Sequence, residues 1–180
     1  SLIQSEDPAY FSDIRFLLTE LSDDVSLEEL VVFSRAEMQF LNNDYATAKN
    51  VFRDFVAKYP HTALRNFAEY YLACTYYHER EYRYSIDLLG KLTDPNESGF
   101  ILASHAFFRL GEAYRELNLP DSAMFAFEQA RIVAPNSMVD FYTTYRLYQI
   151  HREEGRIDVA KREARRLGEI ALQGRDQKLM

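Results

Sequence analysis

The chain has 180 residues, 47% hydrophobic and 27% charged, a balance that folds and excludes a disordered or fibrous protein. A net charge of −7, from 21 Lys and Arg against 28 Asp and Glu, argues against a surface built to neutralise nucleic-acid phosphates. Six Gly and five Pro are few for an all-β protein, one Cys excludes an internal disulfide framework, and no apolar run reaches the roughly 20 residues of a membrane helix. The charge is uneven: residues 1–30 carry eight acids and one base, residues 141–180 nine bases and six acids. Thirteen Tyr and thirteen Phe with no Trp form an aromatic load that must pack somewhere. The start has no signal-peptide pattern and begins at Ser1, as expected of an excised segment.

Asp7-Pro8 opens the first helical pattern, over residues 7–22, with Phe11, Ile14, Leu17, Leu18 and Leu21 at helical spacing. Ser12 with Phe16 four residues later suits the second helix of a preceding helix pair. Ser26-Leu-Glu-Glu29 then predicts a capping box. Three stretches that follow can be laid on one another. Residues 26–62 contain Ala36, Asn43-Asp44-Tyr45, Ala48, Phe52 and Tyr59-Pro60. Residues 66–98 contain Leu72-Ala73, Tyr76, Glu81-Tyr82, Ser85 and Leu89. Residues 104–137 contain Phe107, Leu110-Gly111, Tyr114, Ala123, Phe127, Ala130 and Pro135. Residues 141–173 repeat the turn of the third unit, although Tyr148 takes the small position, His151 the aromatic one and Leu172 that of the final Pro.

The small residues Ala48, Ser85, Ala123 and Ala160 recur 37, 38 and 37 residues apart, the mark of a stacked helical array. Each unit reads as two helices joined by a short polar turn. A small residue in the first helix (Ala36, Ala73, Gly111) faces one early in the second (Ala48, Ser85, Ala123), which lets the axes approach to about 8–10 Å. Pro60 and Pro135 lack a donor and end the second helix. Lys161, Arg162, Arg165 and Arg166 predict a solvent-facing terminal helix, and Asp94–Gly99, which holds the sequon Asn96-Glu-Ser98, an exposed loop.

The 104–137 unit resembles a tetratricopeptide repeat at Phe107, Leu110, Gly111, Tyr114, Ala123, Phe127, Ala130 and Pro135, with Phe107 for the usual Trp. The resemblance implies an all-α, right-handed superhelical solenoid of antiparallel helix pairs, about nine helices in one domain over 1–180. Phe52-Arg-Asp-Phe55 and Lys58-Tyr59-Pro60-His61-Thr62 are loosely similar to bacterial envelope tetratricopeptide proteins of the outer-membrane-assembly lipoprotein and Tol-Pal-associated type. That similarity implies the periplasm or cell envelope in preference to the cytoplasm.

No catalytic residue, metal or cofactor is predicted. Phosphate loops, a nucleophile elbow and C-x-x-C are missing, and His78-Glu79 lacks a second His because Tyr82 stands there. Cys74 reads as a small core hydrophobe, and His78 as an exposed or groove-edge residue. The register of the first helices assigns a groove to Phe33, Glu37, Phe40, Tyr70, Tyr77, His105, Phe108, Glu112, Tyr145, Gln149 and Arg152. Phe33, Tyr70, Phe108 and Tyr145 share one position four times, an aromatic ladder for peptide recognition or, equally, packing between repeats. The carboxylate clamp by which some tetratricopeptide domains hold chaperone tails is not expected. Its positions carry Phe33, Glu37, Tyr71, His105 and Arg109, and only Arg109 fits.

The expected function is a non-enzymatic scaffold for a protein or peptide, with no nucleic-acid partner and no direct membrane span. A docking module of a larger enzyme is the alternative. A helical-repeat RNA binder would need a basic groove, and Glu37, Glu112, Glu116 and Glu153 oppose one.

Overall fold

A computed structural model describes residues 25–135 and 137–177; the helix expected over 7–22 lies outside them. The first helices of the pairs are α1 (Leu27–Leu41), α3 (Arg65–His78), α6 (Phe100–Glu116) and α8 (Met138–Glu153). The second helices are α2 (Tyr45–Lys58), α4 (Tyr82–Gly90), α7 (Pro120–Val133) and α9 (Ile157–Gln177), and a single turn, α5 (Pro95–Ser98), precedes α6. Among the described residues there are nine helices and no strand. Each helix packs on the next along the chain, apart from α4, which passes α5 to reach α6. First helices also touch directly, α1 on α3, α3 on α6 and α6 on α8. This is a helical-repeat solenoid.

Local signals start and stop the helices. The Ser26 N–H donates to Glu29 at 2.9 Å and the Glu29 N–H to the Ser26 hydroxyl at 3.3 Å, which completes the predicted box on α1. Asp44 caps α2 by accepting from the Thr47 N–H. The turn inside each pair is one motif used four times. Asn43, Arg80, Asn118 and Gly155 take φ of 62°, 64°, 57° and 72°. The N–H of the residue after each reaches back five residues: Asp44 to Gln39, Glu81 to Tyr76, Leu119 to Tyr114 and Arg156 to His151, at 2.8–2.9 Å. That is a Schellman closure, which satisfies carbonyls the helix leaves open.

The small-residue contacts stand as expected. Ala36, Ala48, Ala73, Ser85 and Ala123 are fully buried and Ala160 nearly so. At Gly111 an added Cβ would lie 2.4 Å from the Phe127 ring, so α6 and α7 meet there with no room for a methyl group. The aromatic load fills the junction of the first two repeats. Phe33 meets Phe52, Phe55 and Tyr71 edge-on at 5.6–5.8 Å, and Tyr71 stacks on Phe52 at 5.3 Å. Rings crossing a junction tie neighbouring repeats into one core.

Three expectations change. Residues 94–99 are not a loop: Asp94 accepts from the Asn96 N–H at 2.9 Å and starts α5, and Gly99 at φ 80° turns the chain into α6. The helix therefore begins at Phe100, four residues before the expected unit. Lys161, Arg162 and Arg165 face solvent, but Arg166 turns inward to the buried Asp140 at 2.9 Å, because a fully buried carboxylate needs a cation or donors. His78 is half-buried and lies flat on the Tyr45 ring, centroids 4.2 Å apart and planes 2° apart.

Candidate functional site

The four first helices form one layer, and the repeat register lays their residues out in rows. One row holds Phe33, Tyr70, Phe108 and Tyr145; a second Glu37, Cys74, Glu112 and Gln149; a third Phe40, Tyr77, Arg115 and Arg152. Glu37, Tyr77, Tyr145 and Gln149 are partly accessible and Arg152 is exposed.

The other predicted groove residues lie inside. Phe33 and Phe40 are 3% exposed, because rings of α2 and α3 close over them; Phe40 meets Tyr45 at 5.5 Å and Tyr71 at 5.3 Å. Phe108 is covered by Phe127 of α7 and Tyr142 of α8 at 5.6 and 6.4 Å. Tyr70 and His105 are fully buried, their rings 6.1 Å apart across the α3–α6 junction. Three of the four ladder positions are thus interior, and Tyr145 alone, at the last of them, reaches the surface. Close contact between first helices draws the rings into the junctions.

A cross-junction ladder links the second row to the residue following the first row in the next repeat. The Tyr71 hydroxyl donates to Glu37 at 2.8 Å, and the Arg146 guanidinium to Glu112 at 2.7 Å. At the middle junction Arg109 instead adjoins the Cys74 thiol, which Tyr70 also contacts. Sequence reasoning missed this ladder, although a donor recurring 34 residues after each acid was the signal for it. Glu112 takes a second guanidinium, Arg115 at 3.4 Å, and Arg146 also donates to Gln149 at 3.0 Å.

Electrostatics centre on Arg109, which is fully buried with its guanidinium 5.6 Å over the Tyr77 ring. Burial, reinforced by the Arg109 charge, pulls both His105 and His78 down to about 3, so both rings are neutral near pH 7. Burial pushes the Cys74 thiol up, which makes it a poor nucleophile. It pushes the Tyr77 phenol up as well, with Glu112 adding to the effect. Ser104 donates to the Ala130 carbonyl at 3.0 Å and is occupied with packing. Among the described residues no group of three or more His, Cys, Asp or Glu is placed to hold a metal ion, and no helix is long and apolar enough to cross a membrane. An open pocket of about 260 Å³ beside Arg115, Leu119, Ile150 and Glu153 falls just below the roughly 300–1,000 Å³ usual for small-molecule sites.

These rows suit contact with an extended chain along several helices better than chemistry at one point. The family model for the tetratricopeptide repeat matches residues 31–62 and 105–137, that is, the first and third complete repeats. Both matches support a tetratricopeptide-repeat protein, a class of non-catalytic modules that generally mediate protein–protein interaction. A comparison with curated proteins finds none that matches the chain.

Proposed function

We propose that the chain is a non-enzymatic scaffold that binds a protein or peptide segment along the layer of first helices. The observation that carries this is the surface part of the rows: Glu37, Tyr77, Tyr145, Gln149 and Arg152 offer aromatic area and polar tips on the first, second and fourth repeats. Tyr and Arg there give large contact area with directional hydrogen bonds at low ordering cost. Mixed charge on the first helices, with Glu116 and Glu153 exposed as well as Arg152, favours a protein over a nucleic acid.

Within that class the leading role is bacterial cell-envelope assembly. It is supported by the run from Phe52 to Thr62, in which Phe52 and Phe55 are core rings and Tyr59 closes α2 against Phe55 at 5.0 Å. Fractionation of cells expressing the tagged native gene tests this: recovery with the cytosol removes the envelope role and leaves the scaffold in place.

Peptide selection on the immobilised full chain tests the scaffold. Tyr77→Ala, Tyr145→Ala and Arg152→Ala should each weaken selected peptides at least fivefold, with a Tm close to that of the parent. Selected peptides that bind all three variants like the parent would place recognition elsewhere.

A further inference from the structure

We propose that α1 of one copy stacks on α9 of a second copy, so that the array continues head to tail from chain to chain. This surface lies apart from the inner rows and stands whether or not they bind a peptide.

The internal junctions show what a stacked face looks like. At each of them a second helix packs on the first helix of the following pair: α2 on α3, α4 on α6 and α7 on α8. Two register positions on the first helices record that contact. Ala68, Ala106 and Thr143 stand at one, and Thr75, Ala113 and Ile150 at the other, all 6% exposed or less. On α1 the same positions carry Val31 and Met38, which are 59% and 60% exposed. Among the described residues no helix pair precedes α1, so a face closed three times over is open there. A contiguous apolar face of this kind marks an interaction surface.

The matching face is on α9. On the second helices Phe52, Leu89 and Phe127 share one register position and are fully buried. Phe52 stacks on Tyr71 of the following pair at 5.3 Å, so this position looks toward the next first helix. On α9 it is held by Ala164, which is exposed. Bulk is therefore exchanged between the two open faces. Ala164 leaves the space that a ring or Leu89 fills elsewhere, whereas Val31 and Met38 are larger than Ala68 with Thr75, or Ala106 with Ala113. A large first-helix face against a small second-helix face keeps the packed volume of a junction. Both halves of that fit lie on this chain, which favours a second copy as the occupant.

Charge sets the same register. Lys49 of α2 pairs with Glu79 and, at 2.9 Å, with Glu81, 32 residues further on. Met124 of α7 takes the Arg156 guanidinium at 3.5 Å with the same separation of 32. Lys161 holds the Lys49 position on α9, Asp44 holds the Glu81 position after α1, and both are exposed. Stacking two copies by the register of the internal junctions brings Lys161 of one against Asp44 of the other. An exposed pair adds little affinity, but it directs one end toward the other.

Such a contact joins two different faces, so it leaves a free face at each end and can repeat. Sedimentation velocity of the full chain from about 10 to 300 μM, a range suited to a contact of small area, tests it. The average mass is expected to rise with concentration and to pass that of a dimer. Val31→Glu and Ala164→Glu each set a carboxylate into the junction and should raise the concentration needed at least tenfold. Both positions are exposed in the single chain, so each variant should keep the Tm of the parent. Mixed in equal amounts, the first variant still offers α9 and the second still offers α1. Their product should be a dimer that grows no further. A photo-crosslinking amino acid at Met38 should join separate copies, with the attachment on α9. A monomer at every concentration, a limiting dimer of the unaltered chain, association indifferent to either substitution, or a mixture that stays monomeric each overturns the proposal. Met38 crosslinks confined to one chain do so as well, and assign the face to the chain's own residues.

Discussion

Arg146 of the fourth repeat donates to Glu112 of the third at 2.7 Å, with the two side chains 13% and 5% exposed. Removing one partner from such a pair leaves a charge in a dry junction, a loss of about 3–5 kcal/mol in fully buried cases. Glu112 keeps Arg115 nearby, which softens the loss on the Arg146 side. Arg146→Ala and Glu112→Ala are each expected to destabilise by about 2–4 kcal/mol, and the double variant by clearly less than the sum. Urea unfolding of the four proteins measures the coupling; additive losses would show that the pair contributes nothing across the junction.

Gly111→Ala ordinarily gains about 1 kcal/mol inside a helix, because Ala has the higher helix propensity. Here the new methyl carbon would sit 2.4 Å from the Phe127 ring, and that ring is fully buried and cannot swing aside. Overpacking of this kind costs about 1–3 kcal/mol and should outweigh the gain. The variant is expected to unfold at lower urea than the parent. In a Phe127→Leu background, where the ring is gone, the same change should be neutral or stabilising.

The four Schellman turns give a pair of predictions with opposite signs. Arg80 holds φ 64° at the position that Asn43, Asn118 and Gly155 fill in the other repeats. Left-handed backbone costs an ordinary L-residue roughly 1–2 kcal/mol, whereas glycine loses about 0.5–1 kcal/mol through the freedom of its unfolded state. Arg80→Gly should therefore stabilise by about 0.5 kcal/mol, and Gly155→Ala should destabilise by about 1 kcal/mol. Thermal unfolding of both variants checks the signs.

What could be read in the sequence follows from what a helix pair demands locally. Ala48, Ser85, Ala123 and Ala160 mark the close approaches because no larger side chain fits, and that constraint is written at fixed spacing. Asn43 and Asn118 advertise a left-handed turn; Arg80 does not, and only its register with the other turns reveals it. The inner rows were legible as a set, since their spacing places them on one helix face. Their depth was not, because how far rings sink between first helices depends on residues far along the chain, such as Phe127 of the same repeat and Tyr142 of the next around Phe108. Read from spacing alone, Tyr70→Ala and Phe108→Ala should lose the partner with little change in Tm. At 0% and 2% exposure each is instead expected to cost about 3–5 kcal/mol, measured by urea unfolding.

Acid should weaken the fold well before its carboxylates titrate. His105 is fully buried, and burial together with the Arg109 charge brings it down to about 3, against roughly 6.5 in an unfolded chain. Its folded-state value is the lower one, so between those values the unfolded state binds a proton that the folded state refuses. Stability from the neutral ring is therefore fully present above pH 6.5 and is lost as pH falls toward 3, with a slope of at most about 1.4 kcal/mol per pH unit. His78 acts in the same direction. Glu28, held below its ordinary value by Lys58 and Tyr59, adds its own loss only at more acid pH, which leaves the window from 6.5 to 5 to the histidines. Urea unfolding at pH 7, 6 and 5 should show stability falling through that window, and His105→Gln, whatever its cost at pH 7, should flatten the slope. A slope unchanged by the substitution would assign the acid sensitivity to other groups.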